Sequence, residues 1–146
     1  MRITFSPLLR MAITLGLCLG LGEARADIYV IANANIADEQ ISKQQIADLY
    51  LGRTRTSPAG DYITLLDQSD SQPVRERFFR QMTNMSLPQV NAYWARLTFT
   101  GRQAPPQTKS NDLMVIQAVS RTPGSIGYVG SVPSDAQVRV ILHLHE

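Results

Sequence analysis

Two periodicities alternate along the chain. Residues 27–33 (Asp-Ile-Tyr-Val-Ile-Ala-Asn) form a short β-branched apolar run, the pattern of a strand buried on both faces. A polar loop with Asn33, Asn35 and Asp38 follows. Ser42 and Gln45 have capping-box spacing, and Ile46, Leu49 and Tyr50 then recur at helical spacing up to Gly52. Residues 53–60 end in Pro-Ala-Gly and read as loop. Tyr62 to Leu66 predicts a second strand, and Asp67 to Ser71 a polar loop after it.

Pro73 suits the first turn of a helix carrying Val74, Phe78 and Met82 on its apolar face, with Arg75, Arg77 and Arg80 between them. Ser86-Leu-Pro-Gln89 is a second capping box, opening a helix with Val90, Tyr93, Trp94 and Leu97. Residues 98–109 predict a loop. Ser110 is positioned to cap a helix over 111–120, which Thr122-Pro-Gly124 terminates. Residues 125–129 and 138–144 predict the last two strands. The glycine inside the first of them, Gly127, marks a place of close backbone approach. The order β-α-β-α-α-α-β-β predicts one α/β domain with a mixed, mostly parallel sheet flanked by helices.

The first 26 residues change the picture of charge and compartment. Arg2 and Arg10 precede an apolar run over 11–21, and Ala24-Arg25-Ala26 closes it with a small-x-small pattern. This order predicts a signal peptide over 1–26, cleaved before Asp27, and a mature domain over 27–146. The run is short of the ~20 residues a membrane span needs. The expected location is therefore the periplasm, with no membrane insertion after cleavage. Leu17 precedes Cys18 where a lipid-attachment site needs a small residue, so the single cysteine is expected to leave with the leader. Removing three arginines and only Glu23 takes the formal charge from +2 to neutral, although the whole chain has a pI near 8.9. A neutral domain without basic–aromatic interleaving gives no footprint for nucleic acid. No thiol chemistry, Gly-rich phosphate loop, nucleophile elbow or metalloprotease motif is present, so no enzyme and no cofactor are expected.

The candidate chemistry lies at a strand-to-helix loop. Free N–H groups collect where a strand's C-terminal end meets a helix N-terminus, and the dipole there favours an anion. Ser69, Ser71 and Gln72 occupy that loop, with Arg75 or Arg77 to add charge. Asn33 and Asn35 follow the first strand and are expected on the same sheet edge. The alternative is a solvated turn and helix caps, which Asp67 and Asp70 favour. His143 and His145 point to one face of the last strand. With only Glu146 near them in sequence they read as exposed histidines at a chain end, not as a metal site. Phe78, Phe79, Tyr93, Trp94 and Phe99 read as core.

Four segments together carry a resemblance. They are Ile41 to Gly52, ending Leu-Tyr-Leu-Gly; Tyr62 to Asp67 with a serine-containing loop and Arg75-Glu-Arg-Phe78; Tyr93-Trp94 with Phe99-Thr-Gly101; and Thr122-Pro-Gly-Ser-Ile-Gly-Tyr-Val129. Their order resembles the second half of the substrate-binding component of phosphate ABC importers, over roughly Ile28 to Val129. The resemblance implies one lobe of a type 2 periplasmic-binding-protein-like fold, in a family whose two lobes close on an oxyanion. It also implies a phosphate-like ligand and a link to ABC transport. Two departures stand out. The chain has room for one lobe, and Asp67 stands where the family has arginine, followed by Ser71-Gln72-Pro73 where it has a Ser-Gly-Thr turn. These departures support the alternative: a ligand-free interaction module of the envelope that binds a sensor, transporter or assembly partner, or a second copy of itself.

Overall fold

The computed structural model describes residues 26–38 and 40–145. The predicted leader, apart from Ala26, lies outside the described residues. The elements are β1 (Ile28–Asn33), α1 (Lys43–Tyr50), β2 (Thr64–Gln68), α2 (Pro73–Thr83), α3 (Leu87–Phe99), β3 (Gln107–Lys109), α4 (Asp112–Arg121), β4 (Ser125–Val129) and β5 (Val138–Leu144). Among the described residues no helix is long and apolar enough to cross a membrane.

The five strands form one sheet in the order β3-β2-β4-β1-β5. β2 runs parallel to both β3 and β4, whereas β1 runs antiparallel to both β4 and β5. The sheet is mixed, as expected, with its pairings split evenly between the two directions. β1 and β4 sit inside the sheet and are covered on both faces, which is why their sequences are almost continuously apolar.

Alternation along these strands divides the core. Val30, Ala32, Ile126 and Tyr128 face α1, α2 and α3, where they meet Ile46, Leu49, Tyr50, Val74, Phe78, Phe79 and Trp94. Ile31, Leu66 and Val129 face α4 through Val115 and Val119. Gly127 lies under α4, and a Cβ there would stand 2.6 Å from Val115 Cγ1. The first face is built around rings: Phe78 stacks on Tyr128 at 3.8 Å, and Tyr50 meets Phe78 edge-on at 4.8 Å. The Tyr50 hydroxyl donates to the Leu66 carbonyl at 2.8 Å, tying α1 to β2.

Both capping boxes form, Ser42 with Gln45 and Ser86 with Gln89. Pro73 opens α2, and Gly52 takes a φ of +67° just past α1. Three expectations are corrected. Asn111, not Ser110, caps α4, its Oδ1 accepting from the Met114 N–H at 3.0 Å. Phe99, expected in the core, is the last residue of α3 and is 94% exposed, off the face on which Val90 and Trp94 are buried. The second strand is shifted to Thr64–Gln68, and a short strand, β3, lies within the predicted loop. Asp67 and Gln68 pair with Thr108 and Lys109 of β3, so two polar residues continue a strand they were expected to end.

Candidate functional site

The C-terminal ends of β2, β3 and β4 share one edge of the sheet. There the loop over 69–72 enters α2, Asn111 opens α4, and Gly130-Ser131 leaves β4. An open groove between them is lined by Gln72, Pro73, Arg77, Asn111, Asp112 and Ser131. Ligands of open α/β sheets bind at such an edge.

Asp67 is buried at the end of β2. Both its oxygens accept from Arg75 Nε, at 3.1 and 3.2 Å, and Oδ2 also accepts from Nη2 at 3.0 Å. The Tyr128 hydroxyl donates to Asp67 Oδ1 as well. Arg75 Nη1 donates to Asp70 at 2.6 Å and to Asn91 at 3.1 Å, while the guanidinium lies over the Phe79 ring at 5.1 Å. Burial works against the Arg75 charge, but the hydrogen bond and charge of Asp67 outweigh it, so its pKa is raised. Arg75 is thus bound between two carboxylates inside the fold. It does not reach out as a ligand cation.

A second carboxylate occupies the groove itself. Asp112, in the first turn of α4, accepts from Gln68 Nε2 at 2.7 Å through Oδ1. Its Oδ2 accepts from the Gly130 N–H and the Ser131 hydroxyl, each at 2.9 Å. One side chain thereby takes donors from the ends of β2 and β4, at a helix N-terminus whose dipole favours negative charge. Gln68 donates also to the Tyr128 carbonyl at 3.0 Å, and its Oε1 is buried without a hydrogen-bond partner.

The remaining candidates divide. Ser69 and Ser71 stand at this edge with their hydroxyls 2.8 Å apart, and the Gln72 N–H donates to the Ser69 carbonyl at 3.0 Å. Arg77 lines the groove. Asn33 and Asn35 were expected on the same edge, but β1 is antiparallel to β4, so they emerge at the opposite end of the sheet. Asn33 there donates to the carbonyls of Val119 and Ser120, and its Oδ1 accepts from the Asn35 N–H, closing an Asx turn. The sequence pattern does not single out Asp112 or Gln68: Asp112 follows an Asn in a helix-start pattern, and Gln68 lies in a polar stretch that reads as loop.

His143 and His145 have a neighbour that the sequence did not suggest. Asp27, just before β1, reaches both across the β1–β5 pair.

A five-stranded mixed sheet with three helices on one face and one on the other has the fold of one lobe of the type 2 periplasmic-binding-protein-like kind. Among solved structures the chain is similar to a candidate phosphate ABC transporter substrate-binding protein from Clostridium perfringens with bound phosphate (17% identity, TM-score 0.63, 80% of this chain and 45% of that one). It is also similar to an ABC-type phosphate transport receptor from Vibrio cholerae (17% identity, TM-score 0.60, 80% and 46%). A third similar structure is PstS from Borrelia burgdorferi (17% identity, TM-score 0.56, 73% and 42%). The chain thus spans under half the length of the structures it matches. No family model and no curated protein matches it.

Proposed function

We propose that this protein is a cell-envelope protein of the solute-binding type whose ligand edge is closed by its own carboxylates and serves to bind a protein partner. The observation that carries this is Asp112, which accepts from Gln68, Gly130 and Ser131 where an oxyanion would need those same donors. The Asp67–Arg75 pair supports it, because the nearest buried cation is already neutralised. Leu113 and Val132 flank the groove at 61% and 68% exposure, giving a partner apolar surface around a polar centre. The predicted leader supports an envelope location.

A second function, binding of phosphate or a related oxyanion in the service of ABC transport, is favoured by the exposed Ser69–Ser71 hydroxyl pair and by Arg77 in the groove. One experiment separates the two. Calorimetric titration with phosphate, sulfate and molybdate is run on the protein and on its Asp112→Ala and Ser71→Ala variants. Silence in the parent with binding gained in Asp112→Ala supports the closed edge. Saturable heat in the parent, lost in Ser71→Ala, establishes the oxyanion receptor instead. The partner is then sought by cross-linking from Val132→Cys in envelope extracts, a clean handle because the only native cysteine is Cys18.

A further inference from the structure

Away from the groove, where the residue before β1 meets the end of the edge strand β5, Asp27, His143 and His145 place three donor atoms within 4.8 Å of one another. His143 Nε2 lies 3.3 Å from Asp27 Oδ2, and His145 Nδ1 lies 3.4 Å from Oδ1. The imidazole centroids are 3.8 Å apart. We propose that these three residues bind a borderline divalent transition-metal ion of the zinc type.

The geometry fits that chemistry. Zinc–nitrogen and zinc–oxygen bonds of about 2.0–2.1 Å set tetrahedral ligand separations of roughly 3.3 Å, close to the 3.3 Å between His143 Nε2 and Asp27 Oδ2, while His145 Nδ1 stands 3.4 Å from the other oxygen of the same carboxylate. Two imidazoles with one carboxylate suit zinc or copper(II), whereas calcium and magnesium take oxygen donors. Three protein ligands leave a fourth position open to water. The site is also supported from behind. Tyr29, opposite His143 in the β1–β5 register, stacks on its ring at 4.5 Å and 16°, and its hydroxyl donates to Asp27 Oδ2 at 3.5 Å. The donors are half-open to solvent: the side chains of Asp27 and His143 are 30% and 33% exposed, and that of His145 is 70% exposed, so an ion can enter.

The competing explanation is a plain histidine–aspartate ion pair, and titration distinguishes them. Tag-free protein is titrated with zinc chloride, alongside His143→Ala, His145→Ala and Asp27→Asn. Binding of one equivalent is expected, with each variant weakened at least about tenfold, the least that even outer-shell changes produce. Cobalt(II) is expected to give the intense visible bands of a four-coordinate ion in the parent and to lose them in His143→Ala, and excess magnesium is expected not to compete. Absence of saturable zinc binding up to millimolar concentration, or binding unchanged in the two histidine variants, would overturn the site. The substituted side chains are all partly exposed, and circular dichroism of each variant confirms that a loss of binding is not a loss of fold.

Discussion

Replacing Arg75 by methionine tests how the end of β2 is held to α2. The Asp67 and Arg75 side chains are 6% and 8% exposed, so the substitution leaves a buried carboxylate whose counter-charge is gone. Only the Tyr128 hydroxyl and the Gln68 N–H still donate to it. Removing one member of such a pair costs about 3–5 kcal/mol, a large part of a small domain's total of roughly 5–15. Methionine keeps most of the aliphatic stem but loses the guanidinium that lies 5.1 Å over the Phe79 ring, so the loss combines charge with that cation–π contact. With a urea m-value of about 2 kcal/mol/M, the unfolding midpoint should fall by roughly 2 M. Trp94, the only tryptophan and buried in the core, reports the transition by fluorescence. The double variant Asp67→Asn/Arg75→Met removes both charges and keeps an acceptor for Tyr128 and Gln68, so it should recover much of the loss. A cost below about 1 kcal/mol for Arg75→Met, or a double variant no more stable than it, would refute the neutralised pair.

Alkali should unfold the protein steeply: burial first, and the charge of Asp67 second, hold the Tyr50 and Tyr128 hydroxyls well above their usual value of 10.0. Between that value and their folded pKa the unfolded chain binds fewer protons than the native one. Stability should therefore be intact below pH 10 and fall by about 2.7 kcal/mol per pH unit above it, as urea titrations across that range would show, with Tyr50→Phe halving the slope. Gly127→Ala places a methyl 2.6 Å from Val115 Cγ1 and 3.3 Å from Val119 Cγ2, and should cost about 1–3 kcal/mol in the same assay. Ser86→Ala removes the acceptor for the Gln89 N–H and should cost about 1 kcal/mol. Phe99→Ser should stay within about 0.5 kcal/mol of the parent, since the ring is exposed.

The elements that sequence reasoning placed well were those with a local cause. Ser42 and Ser86 cap because their partners sit three residues on, and β1 and β4 announce burial on both faces by their apolar runs. What it misplaced depends on distant residues. Asp67-Gln68 looks like a loop until Thr108 and Lys109 pair with it, Arg75 neutralises Asp67 and Asp112 accepts from Gln68 Nε2. Gln107–Lys109 is polar and exposed, an edge strand with no apolar signal to reveal it. The direction of β1 follows from its partners rather than its sequence, and it sends Asn33 to the wrong end of the sheet for a ligand contact. The His143–His145 pair lacked its carboxylate in sequence because Asp27 comes from the other end of the domain.

In the proposed reading Asp112 closes the groove to free anions, and the reason is effective concentration. A carboxylate fixed on α4 meets the Gly130 N–H, the Ser131 hydroxyl and Gln68 Nε2 without paying for association. Tethered groups compete at effective concentrations of millimolar or more. A free phosphate must first displace Asp112 and then approach a charge of its own sign, in a groove open enough for water to screen what it gains. Charge repulsion and competition act in the same direction, so weak parent binding and a gain in Asp112→Ala are two faces of one cause. Asp112→Asn separates them: it removes the charge while Asn Oδ1 still accepts one hydrogen bond. Anion affinity intermediate between the parent and Asp112→Ala is the expected result. Affinity in Asp112→Asn equal to the parent's, with a gain in Asp112→Ala, would show that occupancy of the donors alone closes the edge and that the charge contributes nothing.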